Sequence, residues 1–152
     1  MIVFGYEKGR GFGPLGDNPW RVIITPDEKN NILVWRGYDC KIEKYSIDRP
    51  VIRTIEETIS NRKDLWAVDK LEEEFAMAYD IPEYSFFFSG YDGKYKFLTG
   101  YLFGYKRHTN CPNTDIVFDL VLQIQTILQK NGLDIEMWNK EFLSYIEADN
   151  SN

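Results

Sequence analysis

Three groups of residues in this sequence have types and spacings that could support chemistry. The first is Gly9-Arg10-Gly11-Phe12-Gly13-Pro14-Leu15-Gly16, which from Gly11 onward matches the G-x-G-x-x-G pattern of dinucleotide-binding loops. That chemistry needs the loop to open a helix, whose N-terminal N–H groups meet the pyrophosphate. Here Pro14 interrupts the loop, and Asp17-Asn18-Pro19 leads into a β-rich run. The expectation is a loop between two strands that presents Arg10 and Phe12. The second group is His108 and Cys111, three residues apart, with Asn110 and Asn113 close by. A nucleophilic thiol needs an oriented imidazole and an accessible sulfur. His108 is the single histidine, and the other cysteine, Cys40, is far away in sequence, so no zinc-ligand spacing exists. The third group is Glu72, Glu73 and Glu74. Three consecutive carboxylates on a helix fan across roughly 200° and make a solvated face rather than a metal cage. No nucleophile elbow of the G-x-S-x-G type is present. These residues predict no enzyme, no catalytic residue, no metal and no cofactor.

A binding surface is the better expectation. Trp66, Asp69, Glu72, Glu73, Glu74, Asp80, Glu83 and Tyr84 fall within 19 residues. Carboxylates speed encounter with a basic protein, and desolvated aromatics supply most of the binding energy. Charge reversal at Glu72, Glu73 and Glu74 is then expected to slow association.

The elements that position these residues follow from periodicity. Thr114 to Gly132 is the longest periodic apolar run: Val117, Leu120, Val121, Ile124, Ile127 and Leu128 share one helical face, and Asp119, Gln123, Thr126 and Lys130 the opposite one. Thr114 is the expected N-cap, and Gly132 suits the left-handed position past the C-terminus. Short strands are expected at Met1–Glu7, Trp20–Thr25, Ile32–Arg36 and Lys41–Ser46, the second and third joined as a hairpin. Pro50 in a first turn, with Ile52, Ile55 and Ile59, predicts a helix after Asp48 that ends near Asn61–Lys63. Leu65–Val68 is short and apolar, and Asp69–Tyr79 reads as a helix or an extended run that Pro82 ends. Tyr84–Ser89 and Tyr95–Tyr105 form a hairpin through Asp92-Gly93, with Gly100 and Gly104 as sites of bulge or close approach. A last helix is expected near Glu136–Glu147. The result is one domain over 1–152: strands over 1–46, a helical segment over 48–80, a hairpin over 84–105 and two helices over 114–147. The fold class is α+β, an antiparallel meander sheet covered on one face by helices, a single pair of layers.

Composition sets the partners. The chain has 152 residues, net charge −6 and 16% aromatic residues. Residues 51–90 carry four basic and nine acidic groups, and residues 113–152 two and seven. Acidic surface disfavours phosphate-backbone binding, which excludes nucleic acid, and suits a basic protein partner. No run is long and apolar enough for a membrane span. The start, MIVFGYEKGRG, lacks a charged segment ahead of an apolar run, so a cytoplasmic location is expected. Small size, acidic balance and missing catalytic motifs together resemble, at class level and across the whole chain, the immunity proteins that neutralise bacterial toxins in bacterial antagonism. Phage-encoded inhibitors share this profile. The resemblance implies a non-enzymatic inhibitor that binds a basic toxin domain. It transfers no functional residue. A further reading is a scaffold subunit whose exposed aromatics form a homodimer, so the chain is expected as a monomer or homodimer. The alternative is a small-ligand-binding or enzymatic α+β domain with a pocket between the sheet and helix 114–131.

Overall fold

The structure, a computed structural model, describes residues 1–9, 19–36, 41–72, 83–101 and 111–137. Its elements run β1 (Phe4–Lys8), β2 (Arg21–Ile24), β3 (Ile32–Trp35), β4 (Ile42–Tyr45), α1 (Arg49–Ser60), a 3₁₀ turn (Lys63–Ala67), β5 (Glu83–Ser89), β6 (Tyr95–Tyr101) and α2 (Pro112–Lys130). The fold is α+β, as expected. All six strands lie in one antiparallel sheet, ordered β4-β3-β2-β1-β5-β6. Two meanders, β1 to β4 and β5 to β6, therefore meet where β5 returns to β1.

The strands form because short apolar runs alternate faces with period two. On the inner face lie Phe4 and Tyr6 of β1, Val22 and Ile24 of β2, Ile32 and Val34 of β3, Phe86 and Phe88 of β5 and Leu98 of β6, all buried. Antiparallel register brings the aromatic ones together. Phe4 lies 5.6 Å from Phe88, and Tyr6 5.9 Å from Phe86, between ring centroids.

Both helices cover this inner face. Pro50 stands in the first turn of α1, where its missing N–H costs nothing, and Ile52, Ile55 and Ile59 are its buried stripe. On α2, Val117, Leu120, Val121, Ile124 and Leu128 are buried, and Asp119, Gln123, Thr126 and Lys130 are exposed. The helix starts earlier than expected. Cys111 occupies the N-cap and Pro112 the first turn, which places Thr114 inside the helix. Gly132 adopts φ +85°, the expected left-handed conformation beyond the last turn, and Gly93 has φ +79° in the β5–β6 turn.

Local readings differ in three places. Leu65 lies in the 3₁₀ turn, and residues 68–72 are neither helix nor strand. Glu136 and Met137 are not helical, and the rest of the expected last helix lies outside the described residues. So do Gly104, His108, Cys40 and the loop from Arg10 to Gly16. Gly9, which opens that loop, donates its N–H to the Glu83 carbonyl at 2.7 Å.

The β5–β6 turn packs tightly on α1. Tyr91 N–H donates to Ser60 Oγ at 3.0 Å. A Cβ on Gly90 would lie 2.9 Å from that same oxygen, so the position takes only glycine without a shift. The core itself predicts the cost of deletion. Ile124 of α2 is fully buried in the core. Ile124→Ala is expected to lower unfolding free energy by about 2–5 kcal/mol, read from the urea midpoint.

Candidate docking surface

Alternation that fills the inner face leaves the other half of each strand on the outer face, where none of the described helices lies. Strand pairing aligns those side chains in rows. One row runs Phe97, Phe87, Gly5, Ile23, Leu33 and then Lys44 across all six strands. Beside it runs Thr99, Ser85, Glu7, Arg21, Trp35 and Ile42. The first row is apolar until its last member. In the second, Arg21 Nη2 lies 2.9 Å from Glu7 Oε2, and the Arg21 guanidinium stacks 5.2 Å from the Trp35 ring centroid.

Large apolar groups on this face meet solvent. Tyr95 is 71% exposed, Phe97 61%, Ile42 45% and Ile2 38%. Phe87 and Tyr95 stack with centroids 6.1 Å apart. Gly5, without a side chain, leaves a hollow of about 180 Å³ bordered by Phe87, Phe97, Ile23, Ile2 and the Glu7–Arg21 pair. A Cβ at Gly5 would meet Phe87 Cβ at 3.4 Å, ordinary contact, so the strand itself tolerates a side chain there.

Those residues singled out in the sequence that the structure describes lie in different places. Trp66 is half-buried against the core, with its carbonyl accepting from Lys96 Nζ at 3.1 Å. Asp69 is exposed. Glu83 and Tyr84 are neighbours on β5 and so point to opposite faces. Glu83 is exposed on the outer one, whereas Tyr84 packs on the inner one, 6.2 Å from Tyr6, with Lys8 over its ring. Burial pushes the Tyr84 phenol up to about 12. Glu73, Glu74 and Asp80 lie outside the described residues.

Glu72 has a structural task. Its Oε1 accepts the Asn113 N–H at 3.0 Å, and its Oε2 accepts the Thr114 N–H and hydroxyl, both at 2.8 Å. A carboxylate from 42 residues earlier in the chain thus caps the first turn of α2, where orphan N–H groups and the helix dipole favour negative charge. Burial works to raise its pKa, but the hydrogen bonds from Asn113 and Thr114 outweigh it, and the carboxyl titrates below its ordinary value. Asp115, one turn edge away, is pushed up by burial and by the Glu72 charge.

The outer face was missed because its members are scattered over residues 2 to 97. A signal was present: Phe87, Tyr95 and Phe97 alternate with buried positions in a strongly aromatic hairpin. Among the described residues no cluster of three or more potential metal ligands occurs, and no helix is long and apolar enough to cross a membrane. Comparison of the chain with protein-family models, curated proteins and solved structures finds no match.

The Glu72 cap has a pH signature. A carboxyl whose folded pKa is depressed stabilises the fold above its unfolded pKa, here near 4.5, and that contribution is lost as pH falls through the folded value. Glu72→Gln is expected to cost about 1 kcal/mol at neutral pH. Urea midpoints of the two proteins should then converge as the pH falls below the ordinary glutamate value. A gap that stays constant through the acid limb would refute an ionic cap.

Proposed function

We propose that this chain is a non-enzymatic, protein-binding inhibitor of the toxin-neutralising kind, and that its basic partner docks on the outer face of the sheet. The observation that carries this reading is the row Phe97–Phe87–Gly5–Ile23–Leu33, an apolar strip left open across the sheet. Interface centres are depleted of charge and rich in aromatics, and the energy concentrates in a few such anchors. The alternative reading, a small-ligand site under α2, has less support. The space between α2 and the sheet is filled by Val117, Leu120, Val121, Ile124 and Leu128, each no more than 1% exposed. The hollow over Gly5 is also smaller than the roughly 300–1,000 Å³ of most small-molecule sites. A socket of that size suits one anchoring side chain of a partner.

Charge supports the choice of partner. The net charge of −6 accelerates encounter with a basic protein, while the strip itself supplies short-range energy. Of the acidic stretch, Asp69 and Glu83 are exposed and available to steer. Glu72 is engaged by α2, so reversing its charge would disturb the fold as well as any encounter.

The test compares the protein with Tyr95→Ser/Phe97→Ser as bait against a lysate of the source cells at low and high salt. The expected result is one basic protein held by the parent and weakened at least about tenfold by the double substitution. Adding the purified chain should abolish that protein's own toxic activity at equal stoichiometry. Equal retention by both baits, or a captured protein whose activity is unchanged by the chain, would overturn the reading.

A further inference from the structure

We infer that, when its partner is absent, the outer face closes on a second copy of the chain, sheet on sheet about a two-fold axis. The inference rests on reading this face as a docking surface and adds what occupies it in the free protein.

Charge is the first argument. The charged side chains on the outward positions of the described strands are Glu7, Arg21, Lys44 and Glu83, two of each sign. A chain of net charge −6 therefore presents one electrically balanced face. Repulsion between two copies acts mainly through other surfaces, at distances where salt screens it. Because Glu7 and Arg21 stand side by side, a two-fold operation can set each against its opposite in the other copy. Self-complementarity is what an isologous interface requires.

Shape is the second argument. A two-fold axis running between β1 and β2 brings the Ile23 of each copy over the Gly5 of the other. An aliphatic ridge then fills each hollow of about 180 Å³. Aligned sheets about 10 Å apart keep their strands within about 30°, and this leaves Phe87, Phe97 and Tyr95 covered at the flank.

Area is the third. Six strands at ~4.8 Å spacing and about five residues long at ~3.3 Å each give a face of roughly 29 by 17 Å. Two such faces bury roughly 1,000 Å² together, at the threshold for a specific interface. A dimer of this size exchanges readily, so a basic partner with better complementarity displaces the second copy.

The experiment is sedimentation velocity on the purified protein over a concentration series, with Phe97→Glu as the variant. Phe97 lies on the surface, so the substitution should leave the thermal midpoint unchanged. The expected result is a rise from 17.9 kDa to twice that mass with concentration, and a dissociation constant raised at least about tenfold in the variant. Hydroxyl-radical footprinting of Tyr95 and Phe97 separates the two ways of failing. A protein that stays monomeric with both rings labelled overturns the second copy and leaves the docking surface standing. One that stays monomeric with both rings protected has the face covered by its own chain, and both readings fall. A dimer unaffected by Phe97→Glu uses another surface and also overturns the inference.

Discussion

Strand β1 is the constraint on which the rest of the structure depends. It is hydrogen-bonded on both sides, to β2 and to β5, and so joins the two meanders into one sheet. Its five residues carry Phe4 and Tyr6 inward and Gly5 and Glu7 outward. The inward pair forms the aromatic ladder with Phe86 and Phe88 under the helices. On the outer side, Gly5 supplies the gap in the apolar strip and Glu7 the partner of Arg21. Period two is a property of the extended backbone, so a single register decides both faces at once. A slip of one residue would bury Glu7 and expose Phe4.

Polar groups inside the fold are used as ties between segments. Asn31 is buried in the β2–β3 turn, and its side chain both donates to and accepts from the Ile47 backbone, at 2.7 and 2.9 Å, which fixes the chain leading into α1. Lys96 reaches the carbonyls of Trp66 and Val68 and closes the end of the 3₁₀ turn. Arg62 binds Asp64 and Asp119 together, joining that turn to α2. Gln125, buried on α2, accepts the Met137 N–H at 2.6 Å and draws the chain after α2 back onto the helix. The Asn31 and Gln125 ties satisfy buried groups that would otherwise cost free energy, and each of the four joins different segments of the fold. The helix layer is held by such specific contacts as well as by its apolar stripes.

That division of labour bears on function. Some charged groups of the helical layer are committed to the fold: Glu72 to a helix end, Asp119 and Asp64 to one guanidinium. On the outer face, the Glu7–Arg21 pair, the stacking of Arg21 on Trp35 and that of Phe87 on Tyr95 join strand to strand and leave the apolar row open. Open aromatic surface weakens solubility and invites association, so a strip of this length is costly unless something covers it. A binding reading explains the strip, and a catalytic reading does not use it.

Most of the elements were legible in the sequence because they depend on local rules. The stripe at Ile52, Ile55 and Ile59, the apolar face of α2, the Asp92-Gly93 turn and the left-handed Gly132 all follow from periodicity and backbone sterics. The N-terminus of α2 was misplaced by three residues because its cap comes from Glu72, and no local pattern around Thr114 reveals a carboxylate 42 residues away. The open outer face was illegible for the same reason. Residues 66 to 84 look like one cluster because they are close along the chain. Strand geometry sends Glu83 and Tyr84 to opposite faces, and helix capping removes Glu72. Phe97, Phe87, Ile23 and Leu33 look unrelated until pairing of β6, β5, β1, β2 and β3 sets them in one row. Sequence by itself determined the six described strands and two α-helices, to within a few residues, and which side of each is apolar. Which apolar sides face one another, and which face is left open, was decided only by long-range pairing, because that register depends on contacts between residues distant in the chain.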